Sequence, residues 1–170
     1  MDLNEKIKER FSVRKFKSTS VPDELIQEIL ETARWAPSGL NNQPWKFIII
    51  KDPEIKEQVA QQTHYSHIIR KAPVCIAVFY DKDAGYNYVK DLQACGAAIQ
   101  NMLLAIHNLE LGGVWLGEIL NKRSEVEKIL KVPDTFELMA VVALGYPAEE
   151  KTQRSRKQLS ELTFVNIYKI

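Results

Sequence analysis

The sequence predicts one domain in which helices alternate with buried strands that form a sheet covered on both faces. Three runs, FIII (47–50), VCIAVFY (74–80) and LMAVVAL (138–144), are almost continuously apolar and lack the polar alternation of a half-exposed strand. The segments between them carry apolar residues at helical spacing. At 170 residues and 45% hydrophobic composition, the chain suits a single core over residues 1–170, with no repeat or low-complexity linker to divide it.

Leu3, Ile7 and Phe11 recur every fourth residue among Lys and Glu, which predicts a short amphipathic helix ending near RFSVRKF (10–16). Ser18, Thr19 and Ser20 then offer capping hydroxyls, and Pro22 an early helical proline, to a second helix. Its stripe is Leu25, Ile26, Ile29, Leu30 and Ala33, and Pro37 stops it near Ala36. After the first strand, Asp52 and Pro53 start a helix carrying Ile55 and Val59. The longest helix is expected over 89–109, with Leu92, Cys95, Ala98 or Ile99, Met102, Leu103 and Ile106 inward. Its small residues Ala94, Gly96, Ala97 and Ala98 suit close approach of a second helix, in the core or in a dimer. Gly112 and Gly113 read as its end, 114–116 as a short extended piece, and Ser124 as the cap of a helix reaching Leu130. The tail TFVNIYKI (163–170) is β-prone and suits a terminal strand on this sheet or a partner's.

Charge excludes some functions. The 23 Lys and Arg nearly balance 22 Asp and Glu, so neither a nucleic-acid surface nor a basic membrane face is expected. Cys75 and Cys95 lie in apolar segments and MDLNEKIKER lacks a signal-peptide core. No apolar run approaches the roughly 20 residues that span a bilayer. The expectation is a soluble, cytoplasmic protein.

Few side chains suggest covalent or metal chemistry. His64 and His67 are three apart, but no Cys, Asp or Glu set completes a metal site. His107 reads as a helix-end or core contact. Neither cysteine has the basic surroundings of a reactive thiolate. Gly112, Gly113 and Gly117 do not have the dinucleotide-loop spacing and follow a helix rather than a strand. Arg10, Ser12 and Arg14, within five residues, can grip a phosphate through guanidinium forks and a hydroxyl; a solvated basic turn is the alternative. Arg154 and Arg156 repeat that ambiguity in the tail. The loop APSGLNNQPW (36–45) holds more Pro, Gly, Asn and Gln than a turn requires. Such a chain suits a borrowed cofactor or plain binding.

The order RFSVRKF, ARWAPSGLNNQPWKFIII, GGVWLGEI and VVALGYPAEE resembles the nitroreductase family of FMN-dependent oxidoreductases over nearly the whole chain. The resemblance implies an α+β, three-layer fold with a central, mostly antiparallel sheet flanked by helices, in an intertwined homodimer with FMN at the subunit interface. It implies that Arg10, Ser12 and Arg14 contact the FMN phosphate, ribityl chain and pyrimidine edge, with Phe11 contributing backbone only. Pro37, Ser38, Gly39 and Asn41 match the loop that reaches the flavin of the neighbouring subunit, and Gln43 is a further polar contact. Leu116, Gly117 and Glu118 fall where backbone lies along the isoalloxazine, and Arg156, then Arg154, where late basic residues meet the phosphate.

Arg14 is the cation assigned to the flavin edge that gains charge on reduction. NADH or NADPH is the implied reductant, by ping-pong hydride transfer. A nitroaromatic, quinone-like or other electron-poor small molecule is the acceptor. The alternatives are an FMN-binding sensor or carrier without turnover, and a divergent flavin chemistry such as reductive dehalogenation. The chain lacks a long flavin-covering insertion, so short loops such as 81–88, with Tyr86 and Tyr88, are expected to set substrate access.

Overall fold

A computed structural model describes residues 2–150 and 155–168. Its elements in order are α1 (Leu3–Glu9), α2 (Asp23–Arg34), β1 (Trp45–Ile50), α3 (Pro53–Ala60), α4 (Ser66–Lys71), β2 (Val74–Asp81), α5 (Tyr88–Asn108), β3 (Gly112–Leu116), α6 (Arg123–Ile129) and β4 (Phe136–Gly145). The four strands form one antiparallel sheet in the order β1-β2-β4-β3.

The pleat of β2 explains its unbroken apolar run, because successive side chains enter different cores. Cys75, Ala77 and Phe79 pack with Val59, Ile68, Ile69 and Val126 from α3, α4 and α6. Val74, Ile76 and Val78 pack with Ile26 and Ile29 of α2 and Ile99, Met102 and Ile106 of α5. The three layers and the antiparallel sheet agree with the α+β expectation.

Several local expectations change. The hydroxyls before α2 do not cap it: Pro22 is the N-cap and no side chain bonds there. A hydrophobic staple holds this end instead, with Val21 before the cap and Ile26 in the first turns sharing one core cluster. Asp52 does cap α3, accepting from the Glu54 and Ile55 N–H groups at 3.0 and 2.9 Å. Ser124 lies inside α6, whose N-cap is Lys122. The six-residue α4 escapes a periodicity search, because its buried Ile68 and Ile69 are adjacent and span no full turn.

The glycines 112 and 113 do not end α5. Glu110 does so, at φ 60°. The Leu111 N–H donates to the Ile106 carbonyl at 3.0 Å and the Glu110 N–H to that of His107 at 3.2 Å, a Schellman arrangement with glutamate in the usual glycine place. The glycines instead begin β3. In the tail, described residues 155–168 add no strand to this sheet; they are exposed, with a single short turn at Leu159–Glu161.

Candidate functional site

Arg10, Phe11, Ser12 and Arg14 lie on an extended segment that leaves α1 and closes one end of the sheet. Ser12 forms a parallel bridge with Gly113 at the head of β3, and Phe16 an antiparallel bridge with Pro147 beyond β4. The Val13 N–H donates to the Gly113 carbonyl at 3.0 Å and the Lys17 N–H to the Tyr146 carbonyl at 2.8 Å. Glycine makes this passage open: a Cβ on Gly112 would lie 2.6 Å from the Val13 Cβ, and one on Gly145 2.5 Å from Pro73 Cδ. These two glycines face each other across β3 and β4, and the strip of bare backbone they leave is covered by Val13 and Phe16 of the segment together with Pro73. The Glu149 carboxylate holds it further, accepting from the Arg14 and Lys15 N–H groups at 2.5 and 3.2 Å. Two guanidinium groups and a hydroxyl are thereby displayed at one sheet end, with Arg14 exposed and Arg10 and Ser12 half-buried. A cavity of about 310 Å³ opens beside them, lined by Arg10, Phe11, Leu103 and His107 among others.

The loop 37–43 is built differently. Leu40, Asn41 and Gln43 have φ of 54°, 55° and 48°. Asn tolerates that region; leucine and glutamine adopt it only when neighbours impose it, and such strain concentrates at functional sites. Here Ser38 Oγ accepts from the Gln43 N–H at 3.0 Å, and Gln43 Nε2 donates to the Asn41 carbonyl at 3.2 Å. The Gln43 amide is therefore engaged within its own loop.

Asp91 anchors this loop. It lies at the start of α5 and is fully buried. Its carboxylate accepts from Asn42 Nδ2 at 2.8 Å, the Tyr86 N–H at 2.9 Å and the Asn87 N–H at 2.8 Å, with the Tyr80 hydroxyl at 3.5 Å. Burial alone pushes this carboxyl upward, but the hydrogen bonds from Asn42, Asn87, Tyr86 and Tyr80 outweigh it and hold it below the usual value. One buried charge thus ties loop 37–43 to loop 84–88. Sequence reading missed it, although Asp91 stands four residues before Cys95 on the apolar stripe of α5, where a carboxylate demands partners.

Pro37, Ser38 and Gly39 face a second cavity of about 300 Å³, with Tyr86, Lys90, Gln93, Ala94 and Ala97 opposite. A Cβ on Gly39 would collide with the Tyr86 phenol, so only glycine lets that ring rest on the loop. Tyr88 does not line this cavity; its hydroxyl donates to Glu137 at 2.9 Å, and Glu137 also pairs with Arg123.

At the far end of β3, Leu116 is buried and Gly117 exposed. A Cβ on Gly117 would meet only Trp115 Nε1, at 3.9 Å, so the backbone there can be approached by a flat group. The Glu118 carboxylate turns away, accepting from Thr63 Oγ1 at 2.5 Å, the His64 N–H at 3.2 Å and Asn121 Nδ2 at 3.3 Å. The Thr63 hydroxyl, first among these, keeps the Glu118 carboxyl below its usual value. Arg156 is exposed and donates to the Ser155 carbonyl at 2.9 Å; Arg154 lies outside the described residues. Burial pushes both cysteine thiols up to about 12, and no metal-binding cluster occurs among the described residues.

One chain therefore presents two separate candidate half-sites. The cavity beside Arg10 touches Leu103 and His107 and the loop cavity touches Lys90 to Ala97, so the two are offset by roughly 20 Å along α5.

An antiparallel sheet between helical layers, with an arginine–serine segment at one end and a strained loop on the long helix, defines a class of cofactor-dependent α+β domain. The family model described as "Nitroreductase family" matches residues 7–64 and 56–146, and the chain belongs to that family. A Methanothermobacter thermautotrophicus protein with the provisional name NADH dehydrogenase/NAD(P)H nitroreductase is 38% identical over 156 residues, covering 91% of this chain and 82% of its own. A Desulfovibrio desulfuricans crystal structure, of a protein provisionally called a nitroreductase in complex with FMN, superposes with a TM-score of 0.93 at 44% identity, covering 99% of this chain and 98% of its own. An iodotyrosine deiodinase of Thermotoga neapolitana is 28% identical over 177 residues, covering 89% of this chain and 92% of its own.

Proposed function

We infer that the protein is an FMN-dependent oxidoreductase, a cytoplasmic homodimer that takes electrons from NADH or NADPH and passes them, in ping-pong fashion, to nitroaromatic, quinone-like or similar electron-poor small molecules. The observation that carries this reading is the Arg10–Ser12–Arg14 segment seated across Gly112 and Gly145 at the head of β3. Gly117 stands about 13 Å further along, with open backbone. That donor set fits a phosphate at one end and a flat heterocycle at the other. The FMN complex of the Desulfovibrio relative supports the same reading.

FMN, when bound, supplies the two-electron chemistry. The chain's own residues bind and orient it. Arg10 and Ser12 neutralise and bond the phosphate, and Arg14 offers a cation to the electron-accepting edge. Backbone from Leu116 to Glu118 would support the ring, while the Glu118 carboxylate, engaged with Thr63, stays out of the chemistry. The buried, protonated cysteines take no part.

The offset half-sites support the dimer. A second copy packed antiparallel along α5 carries its loop 37–43 toward the arginine cluster of the first. The exposed Leu162, Phe164, Val165, Ile167 and Tyr168 of the tail suit burial against that copy, and Arg156 comes to the phosphate with it.

Purification tests the reading: a yellow protein with a flavin band near about 450 nm is expected, and a colourless protein that FMN cannot reconstitute refutes it. Anaerobic NADH or NADPH should bleach the holoprotein; persistent colour would leave a binding module without turnover. The deiodinase relative favours one second reading, reductive dehalogenation. Iodide release from 3-iodotyrosine by the reduced holoprotein decides it.

A further inference from the structure

The cavity between loop 37–43 and α5 has walls of unequal chemistry. Ala94 and Ala97 leave a slot, Tyr86 forms an aromatic side, and Lys90 and Gln93 rim it. Among the described residues Lys90 is the only charged one that lines it, and its Nζ stands 5.4 Å from the centroid of the Tyr86 ring. The ring is positioned from two sides: Asp91 holds its backbone N–H, and Gly39 gives its phenol a seat against the loop. The Ser38 hydroxyl accepts from Gln43 and so keeps its own proton to donate. Among the described residues no carboxylate lines the slot to oppose an incoming anion.

We propose that this slot is the acceptor subsite and that it selects flat aromatic acceptors bearing an anionic substituent, the ring packed beside Tyr86 and the anion against Lys90. An aromatic wall beside an ammonium group favours a planar π-system with a negative edge over a neutral one. The proposal rests on the oxidoreductase reading above, because the slot shares Pro37, Ser38 and Gly39 with the loop assigned to the flavin.

The test uses the FMN-loaded protein, photoreduced without oxygen and mixed in a stopped-flow instrument with 4-nitrobenzoate or with neutral nitrobenzene. The expected result is that Lys90→Gln lowers the ratio of the two reoxidation rates about tenfold, the size of one charge-assisted contact. Comparing variant with wild type cancels the intrinsic difference between the acceptors. Lys90→Arg should keep most of the ratio. Added salt should slow the wild type with 4-nitrobenzoate more than it slows Lys90→Gln. A yellow Lys90→Gln protein with the wild-type ratio overturns the subsite alone, whereas a wild-type protein that binds no flavin overturns it together with the oxidoreductase reading. A change confined to reduction by NADPH over NADH would assign Lys90 to the reductant's phosphate and likewise overturn the proposal.

Discussion

Asp91→Asn should destabilise the protein far more than its single-atom change suggests. The native carboxylate receives three close donors, from Asn42 Nδ2 and the Tyr86 and Asn87 N–H groups, with no solvent access. The amide keeps one acceptor oxygen and turns the other position into a donor. If the oxygen stays on the backbone N–H pair, the new amide group faces the Asn42 amide. Asn42 can flip and offer its Oδ1, which is buried without a partner, but then it loses its bond to the Ala84 carbonyl. One unsatisfied buried group and one lost charge-assisted bond come to about 2–3 kcal/mol, and Asp91→Ala, which strands all three donors, to about 3–5 kcal/mol. Denaturant unfolding at fixed protein concentration measures both, and Tm should fall by about 5–10 °C for the asparagine variant. The folded carboxyl is held below its unfolded value, so its contribution is present above about pH 4 and is lost as pH falls through the folded pKa. The gap between wild type and variant should therefore shrink in acid. A difference under about 0.5 kcal/mol at pH 7 would refute the anchoring role, since even one stranded buried group costs more.

Three further outcomes are expected. Arg10→Ala should weaken FMN binding by about 1.5–3 kcal/mol, read as flavin retained on dialysis or titrated fluorimetrically; unchanged affinity removes Arg10 from the site. Gly112→Ala forces a methyl against Val13, so stability should drop by about 1–3 kcal/mol and FMN affinity should fall with it; wild-type behaviour would show that the segment does not depend on the bare strip. Cys75 and Cys95 should resist a thiol reagent at pH 8 in the native protein and react once it is unfolded, because both are buried with thiols raised to about 12; fast native labelling would contradict the burial.

Much of the architecture is legible in the chain. The apolar runs mark β1, β2 and β4, and their lack of alternation announces a sheet covered twice, because each face meets its own helical layer. The 21-residue α5 declares itself by periodicity over several turns. Errors gather at helix ends, where one hydrogen bond decides the outcome. Serine hydroxyls before α2 lose to a hydrophobic staple, and Glu110 occupies the left-handed position that glycine usually takes. A single turn such as α4 carries too little pattern to stand out.

The sequence by itself determined the family, the layered fold and the residue types suited to a phosphate and a ring, because those are local patterns and motifs. Only the tertiary structure decided where they stand. It revealed that Gly112 is small to admit Val13 of the arginine segment and Gly145 to admit Pro73, that Asp91 joins two loops far apart in the chain, and that the two candidate half-sites lie towards opposite ends of α5. Each of these depends on contacts between residues distant in sequence, and such contacts leave no periodic or compositional trace in a single chain.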